Sequence, residues 1–297
     1  TGNGLSWANA SGDLQLMINL SCANTEIWVA QGTYKPNRPA NNLNTIAVNN
    51  RDNAFVLKTD VKIFGGFPAS GSPGMALRDW NTNITTLSGD IGIANNTSDN
   101  SYHVVISSGA VGSAELNGFI VTKGNANISK TIPVNGYNPN GRYGGGMYND
   151  NSSPTIANST FSENKATNGS GIYNTVSSPT ISNSTFSQNQ ATNNGGGMYN
   201  SSSSTPMISN SIFSRNTANS GGGMYNSSDP IVSKSVFTRN TAQFGGGMYN
   251  DNSIPKISSC SFSGNTASQD GGGMSNNNAL PEISNSIFSG NNATYGG

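Results

Sequence analysis

The side chains that perform chemistry in enzymes are few in this sequence and widely spaced. Its 297 residues include 14 Asp and Glu, 14 Lys and Arg, one His and two Cys. Hydrolysis or elimination on a sugar chain requires clustered carboxylates and a positioned acid or base. Asp79, Asp90 and Asp99 are the best candidates for such a cluster, although an ordinary role in turns explains each of them equally well. We therefore predict no catalytic residues and no enzyme activity.

The other reactive side chains are also expected to be structural. His103, the single histidine, lies in an alternating apolar segment, which favours a structural over a catalytic role. Lys256 and Glu282 occupy equivalent positions one repeat apart, which is typical of a surface ion pair. The calcium-binding nonapeptide repeat needs Gly-Gly-x-Gly-x-Asp, and no such string occurs. We expect neither a metal nor a cofactor.

Binding is better supported than catalysis, by a row of tyrosines. Each follows a large apolar residue in consecutive repeats, so its side chain should point outward, about 4.8 Å from the next. The row consists of Tyr148, Tyr173, Tyr199, Tyr225 and Tyr249. Stacked aromatic rings bind sugar rings or a partner protein, but they also stabilise a sheet by stacking on one another. Both interpretations remain open.

A second outward row is apolar and suggests self-association. It consists of Met207, Ile212, Ile231, Val236 and Ile287. Exposed apolar patches on a soluble protein often mark interfaces. We expect molecules to pack side by side or end to end through this row.

Both rows arise from a repeat that fills the C-terminal half of the chain. A Phe recurs every 24 to 27 residues, at Phe161, Phe186, Phe213, Phe237, Phe262 and Phe288. An Asn follows three residues after each Phe, and a branched aliphatic residue precedes it by five. Each repeat also contains a Pro and opens with a glycine cluster followed by a large apolar residue. A regular interval of this kind predicts a regular core.

The residue types decide between a helical and a β-stranded repeat. Pro, Gly, Asn and Ser in every repeat disfavour helix interiors, and the apolar positions form short alternating runs instead. The sequence predicts a right-handed parallel β-helix with three short strands and about 25 residues per coil. Met147, Ile156, Ser159 and Phe161 should point inward with their counterparts. The glycines should provide positive φ at a tight corner, and the recurring Asn should stack amide on amide.

The chain divides into three stretches of one continuous solenoid. Residues 1–25 are expected to form an N-terminal cap with a short helix near 14–18, residues 26–143 irregular coils, and residues 144–297 the regular repeats. Strand-like runs of the irregular part cover 26–30, 54–57, 61–64, 102–106 and 116–121. The last residues begin a seventh repeat, so we expect either further coils or pairing of the last coil with another molecule.

The two cysteines are expected to stay unpaired. Cys22 and Cys260 are far apart in sequence, and a solenoid keeps distant coils too far apart for a disulfide. Cys260 replaces the Ser of the inward row. A buried free thiol is therefore favoured over a reactive one.

Charge and hydropathy limit the classes of partner. The formal net charge is zero and the charges are scattered, so neither nucleic acid nor an anionic membrane is indicated. No run of 18 apolar residues exists, so we expect no membrane-spanning segment. Low charge with turns rich in Asn, Ser and Thr is typical of secreted or surface proteins of bacteria, so we expect an extracellular location.

Two resemblances bear on function. The combination of Gly-Gly-Gly-Met with Phe-x-x-Asn resembles the signature repeats of the chlamydial polymorphic outer-membrane proteins. Segments 2–10, 27–34, 65–67, 78–80 and 87–90 are similar to the opening of secreted β-helix repeat proteins from environmental bacteria, including Bacteroidetes. These resemblances imply a surface-exposed or secreted β-helix used in adhesion or as a scaffold. The implied partners are other copies of the chain, surface glycans, or proteins of a host or neighbouring cell.

The sequence thus favours an extracellular structural or adhesive β-helix that associates with itself. Two alternatives remain open. One is a carbohydrate-binding module that uses the tyrosine row, and the other is a β-helix resembling polysaccharide lyases or hydrolases.

Overall fold

The architecture follows from apolar side chains that recur about every 25 residues and need a shared interior. We describe it from a computed structural model, which covers residues 2–201 and 203–297. Strands of successive coils pair in parallel, in the register set by the repeat, so that Phe161 lies beside Phe186 and Met147 beside Ile172. The chain is a right-handed parallel β-helix, which confirms the predicted fold class.

The N-terminal part supplies the cap and the first coils. Its elements in chain order are a 3-10 turn at Trp7–Asn9, α1 Leu14–Leu20, β1 Thr25–Ala30, β2 Gly32–Tyr34, β3 Phe55–Val56, β4 Val61–Phe67, a 3-10 turn at Met75–Leu77, β5 Thr85–Ser88, β6 Val105–Ser108, β7 Glu115–Asn117, β8 Ile120–Thr122 and β9 Asn125–Ala126.

The regular part continues with short strands. They are β10 Met147–Asp150, β11 Thr155–Ala157, β12 Thr160–Ser162, β13 Lys165–Asn168, β14 Ile172–Thr175, β15 Thr180–Ser182, β16 Thr185–Ser187, β17 Gln190–Asn194, β18 Met198–Asn200, β19 Met207–Ser209, β20 Ile212–Ser214, β21 Met224–Asn226, β22 Ile231–Ser233, β23 Val236–Thr238, β24 Thr241–Phe244, β25 Met248–Asp251, β26 Lys256–Ser258, β27 Ser261–Ser263, β28 Thr266–Asp270, β29 Met274–Asn277, β30 Glu282–Ser284 and β31 Ile287–Ser289.

Three long sheets run through both parts of the chain. Sheet A has the order β1-β4-β7-β11-β15-β19-β22-β26-β30, sheet B the order β2-β5-β8-β12-β16-β20-β23-β27-β31, and sheet C the order β3-β6-β10-β14-β18-β21-β25-β29. Shorter pairings, β9-β13-β17 and β24-β28, add a fourth side to some coils. Each coil therefore contributes one strand to each long sheet, and outward side chains of successive coils stack in rows.

Several strand boundaries differ from the expected runs, because single residues with positive φ interrupt them. The run 116–121 is divided at Gly118, with φ 81°, into β7 and β8. Asn158, with φ 50°, divides the run from Ile156 to Phe161 in the same way, and Asn tolerates this conformation better than most residues. The run 102–106 becomes a strand only from Val105.

The core is a set of stacked ladders in which each coil repeats the previous one. Met147, Ile156, Ser159 and Phe161 are all buried, as predicted. Phe rings of neighbouring coils stack with centroids 4.6 to 5.3 Å apart. Burying each ring stabilises the fold by about 1.5–3 kcal/mol. Cys260 is buried within the Ser row as a free thiol, and Cys22 is an exposed free thiol.

Two rows of buried asparagines cross-link the coils. The predicted row begins at Asn164 and repeats in each coil, its amide donating to the carbonyl oxygen of the next Asn, as from Asn164 Nδ2 to Asn189 Oδ1 at 3.1 Å. A second row, which the sequence analysis did not anticipate, lies on the inner face of sheet C. There Asn149 Nδ2 donates to Asn174 Oδ1 at 2.7 Å, and later coils repeat the bond. Both rows supply hydrogen bonds that the apolar core cannot.

The glycine clusters are required for two separate reasons. The first glycine of each cluster has positive φ, as at Gly144 with 66°, which confirms the predicted corner. The third glycine of each cluster, and the second except where Ser170 replaces it, lie too close to the next coil for an unshifted side chain. A Cβ at Gly222 would lie 2.6 Å from the carbonyl oxygens of Gly246 and Thr241. The cluster therefore sets the spacing between coils as well as the direction of the chain.

The N-terminal end is closed by α1, as predicted. Asp13 caps the helix by accepting a hydrogen bond from the Leu16 amide at 3.0 Å, and it also pairs with buried Arg38 at 2.7 Å. Gln15 hydrogen-bonds both the amide and the carbonyl of Val56 in β3, the edge strand of sheet C. The side chain thus takes the place of a neighbouring strand and covers the open edge.

The last described coil is less covered than the others. Ile283 and Phe288 are about two-fifths exposed, whereas their counterparts in preceding coils are buried. Within residues 2–201 and 203–297, no helix has the length and apolar character needed to cross a bilayer.

Candidate functional site

The five tyrosines form the ladder that their spacing predicted. They occupy equivalent positions of β10, β14, β18, β21 and β25 on sheet C. Ring centroids of neighbours are 4.8 to 5.2 Å apart. Tyr143 extends the stack from the preceding turn, with its ring 4.8 Å from that of Tyr173.

The ladder is less accessible than an outward row should be. Tyr148, Tyr173 and Tyr225 are less than a tenth exposed, and only Tyr199 and Tyr249 are half-buried. His103 packs edge-on against Tyr148 with ring centroids 5.5 Å apart, and neighbouring rings of the row stack on one another. The tyrosines stack in the predicted row, but three of the five are buried, which repeat spacing alone does not show.

Burial also fixes the protonation state of these tyrosines. It raises the pKa of Tyr173 to about 12 and raises the pKa of Tyr148 and Tyr225 further. The Tyr225 hydroxyl donates a hydrogen bond to Asp251 at 3.1 Å. The row is neutral at physiological pH and offers stacking surface rather than acid–base chemistry.

The predicted apolar row is largely exposed. Met207, Ile212, Ile231 and Ile287 are between 42% and 64% exposed, and Val236 is half-buried. Met207 and Ile231 are neighbours on the outer face of sheet A, and Ile212 and Val236 are neighbours on sheet B. Four of the five residues thus form two exposed pairs in the same two coils, which we call the apolar pairs.

His103 is a buried structural histidine. Its Nδ1 lies 3.0 Å from the Gly144 carbonyl oxygen, so this nitrogen carries the proton of the neutral ring. Burial lowers its pKa to about 4, despite the opposing effect of that hydrogen bond. It lies just before β6 rather than within it. A neutral ring at physiological pH, hidden from solvent, has no access to a substrate.

The three aspartates do not converge. Asp79 accepts hydrogen bonds from the Asn81 amide and the Thr82 hydroxyl, and Asp99 accepts one from the Ile93 amide. Asp90 bonds the Asn95 amide and pairs with Lys123 at 3.3 Å. These are the turn roles that the sequence suggested. Within the described residues, no group of three or more His, Cys, Asp or Glu could hold a metal.

The remaining acid–base pair is a surface ion pair. Lys256 Nζ lies 3.7 Å from the Glu282 carboxylate, and both side chains are more than three-fifths exposed. Such a pair contributes little to stability because solvent screens it.

One feature escaped the sequence analysis: a polar groove of about 370 Å³. One wall is the loop 89–100, represented by Asn95, Thr97 and Asn100, and the floor comes from the turns after β8, β12 and β16. The only signal in the sequence is an insertion rich in Asp and Asn between β5 and β6. Nothing in that signal indicates which coils the loop would lie against.

Comparison with protein-family models agrees with the fold. The family model described as right handed beta helix region matches residues 145–297. Comparison with curated protein sequences finds no match. Among solved structures, the chain is similar to the A-module of the mannuronan C-5 epimerase AlgE4 of Azotobacter vinelandii, with 11% sequence identity and a TM-score of 0.34, over 100% of this chain and 98% of that one.

Proposed function

This chain belongs to the right-handed β-helix family, and we propose that it is a secreted, non-catalytic β-helix that acts as a scaffold or adhesive element by associating laterally with copies of itself. The observation that carries this proposal is the exposure of the apolar pairs. Met207 with Ile231, and Ile212 with Val236, occupy outward positions that hold polar side chains in neighbouring coils. Exposing these apolar side chains to water raises the free energy of the folded protein. A partner that covers them would remove this cost.

A second copy is the partner that fits the apolar pairs best. A solenoid presents the same rows along its whole length, so two copies lying antiparallel would bring each pair against its own symmetry mate. The residues flanking Met207 and Ile231 along sheet A are uncharged Thr180 on one side and Lys256 on the other. An antiparallel arrangement would therefore place each Lys256 near Thr180 of the other copy, without repulsion between like charges.

The absence of a convergent acid–base set among the described residues supports a non-catalytic role. The single histidine is buried, and the aspartates hold turns together. Carbohydrate binding through the tyrosine row is a second candidate, favoured only by the two half-buried rings, Tyr199 and Tyr249. Because their stacking partners are buried, these two rings would act alone rather than as part of a ladder.

Sedimentation equilibrium of the whole chain over a range of concentrations tests lateral association. We expect the double variant Met207→Lys with Ile231→Lys to weaken association by at least about a hundredfold, because burying each side chain contributes about 1.5–3 kcal/mol. The matched control is Thr217→Lys with Thr241→Lys, because these exposed neighbours lie in the same two coils but on the fourth side of the solenoid, so their change should have little effect. A monomeric parent chain at millimolar concentration, or equal association of the double variant, would contradict the proposal.

A further inference from the structure

We propose that the outer face of sheet B binds the surface of ice. This face carries hydroxyl and aliphatic side chains on nine parallel strands. It shares only Ile212 and Val236 with the apolar pairs, and binding here needs no second copy of the chain. Its composition, flatness and spacing each fit an ordered layer of water.

The outward positions of sheet B form two rows of uncharged side chains. The first row is β-branched except for one serine, and in the regular coils it consists of Thr160, Thr185, Ile212, Val236, Ser261 and Ile287. The second row consists only of hydroxyl side chains, Ser162, Ser187, Ser214, Thr238, Ser263 and Ser289. All of these residues are exposed or half-buried, so both rows face solvent.

The lack of charge distinguishes sheet B from sheet A. The nine described strands of sheet B contain no Asp, Glu, Lys or Arg, whereas the outward row of sheet A includes Glu26, Lys62, Glu115, Lys256 and Glu282. Ionic groups orient water radially, which does not fit the tetrahedral lattice of ice. Hydroxyl groups donate to and accept from water as water molecules do in ice, and aliphatic groups order the water around them.

Sheet B is also nearly flat. The Phe rings on its inner face, one in each regular coil, are inclined to their neighbours by only 2 to 7°. Neighbouring strands of ordinary sheets are rotated by about 20–25°. The described strands from β5 to β31 also keep one register, as where Thr185 lies beside Ile212. Outward side chains of successive coils therefore lie close to one plane, as contact with a crystal face requires.

The two rows form a regular grid. Neighbours within a row are about 4.8 Å apart, and residues two apart on a strand, such as Thr185 and Ser187, are about 6.6 Å apart. Both spacings are close to repeats of oxygen positions on surfaces of hexagonal ice. Water in the trough between the rows, bonded to hydroxyls and confined by aliphatic groups, would occupy positions that continue into the ice lattice.

The grid is rigid before ice is present. β-branched side chains have few χ1 rotamers, and their neighbours in adjacent coils pack against them. The backbone of sheet B is fixed from inside by the Phe ladder and by the asparagine row, as where Asn189 Nδ2 donates to the Phe161 carbonyl at 2.9 Å. Little side-chain entropy is lost when such a surface binds.

Other occupants fit this face less well. Sugar rings on the surface of a crystalline polysaccharide stack on aromatic side chains, and none points outward from the described strands β5 to β31 of sheet B. A second copy would bury the whole second row, and its hydroxyl groups would each need a partner within the interface.

Slow freezing of the full chain onto a single ice crystal tests the proposal. A fluorophore on Cys22, an exposed thiol outside sheet B, reports where the protein goes. We expect the labelled parent chain to enter the growing ice, and the unlabelled chain to depress the freezing point of a seeded solution below its melting point. Exclusion of the parent chain from ice would overturn the proposal.

Variants locate the binding face. Thr185→Lys with Ser187→Lys places two charges on β16, the central strand of sheet B, and should abolish both effects. The matched control is Thr180→Lys with Ser182→Lys, because the same residue types occupy outward positions of β15 on sheet A in the same coil. This control should retain both effects. Ser214→Tyr adds bulk to the second row without charge and should weaken both, so the test does not depend on one variant folding.

Three results would contradict the assignment to sheet B. These are ice incorporation of the β16 variant equal to that of the parent chain, equal loss in the β15 control, and retention on crystalline cellulose without incorporation into ice. The variant Met207→Lys with Ile231→Lys separates ice binding from self-association, since both residues lie on sheet A. It should be monomeric and still enter ice, and its exclusion would show that association rather than sheet B creates the activity.

Discussion

Replacing Asn216 by alanine tests whether the predicted amide row holds neighbouring coils together. The Asn216 side chain is fully buried and makes four hydrogen bonds. Its Oδ1 accepts from the amide and the Nδ2 of Asn189, and its Nδ2 donates to the carbonyl of Phe186 and to Asn240 Oδ1. The variant keeps the bond from its own backbone amide to Asn240.

The decrease in the free energy of unfolding caused by Asn216→Ala can be estimated bond by bond. The Asn189 amide donates to Asn216 Oδ1 and has no replacement partner in the variant, and an orphaned buried donor costs about 1–3 kcal/mol. Asn189 Nδ2 still bonds the Phe161 carbonyl, so losing its bond to Asn216 costs less, about 1 kcal/mol. The Phe186 carbonyl and Asn240 Oδ1 each lose the donor supplied by Asn216 Nδ2, at about 1 kcal/mol each. The free energy of unfolding should therefore fall by about 4–6 kcal/mol.

Urea unfolding followed by circular dichroism measures this change, and amide hydrogen exchange at Asn189 locates it. The control is Asn219→Ala, because Asn219 is an exposed asparagine of the same coil whose side chain makes two hydrogen bonds, to Gln243 and from the Ser220 hydroxyl. We expect a change of less than about 0.5 kcal/mol for the control. If Asn216→Ala cost no more than the control, or if exchange at Asn189 were unaffected, the amide row would not stabilise the coils as argued.

Two further outcomes follow from the buried groups. Burial lowers the pKa of His103 to about 4 against an unfolded value near 6.5, so about 3 kcal/mol of stability present above pH 6.5 should be lost as the pH falls towards 4. In His103→Gln the free energy of unfolding should vary less over this interval, and equal slopes for parent and variant would contradict the assignment. Gly222→Ala should lower the unfolding free energy by about 1–3 kcal/mol because its Cβ meets backbone carbonyls, whereas Gly12→Ala, with open space around it, should be nearly neutral in the same urea titration.

The sequence predicts this fold well because every coil obeys the same spacing. Phe161 and Phe186 could be placed over one another from their interval alone, and the buried thiol of Cys260 followed from its place in the Ser row. Coil boundaries were harder, because a single residue such as Asn158 can turn the chain without any change in the apolar pattern.

Surface properties were predicted less well than the core. The alternation of β10 correctly places Tyr148 on the outer face of sheet C, yet it does not show that His103 packs against the ring or that the ring is buried. The polar groove depends on the loop 89–100, which belongs to no repeat and lies over coils distant in sequence. Periodicity determines what repeats, and the features that differ between coils depend on tertiary contacts that it does not encode.

The inner asparagine row of sheet C also gives the solenoid an electrical direction. From Asn149 onward every amide in the row donates towards the C-terminal end, so the group dipoles add in the way that peptide dipoles add in a helix. The row stops at Asn149 because Ser107 occupies the equivalent place in the preceding coil and bonds Ser152 instead. Among the described residues the Asn149 Oδ1 has no donor, so the negative pole of the row lies in the interior, where the regular coils meet the irregular ones.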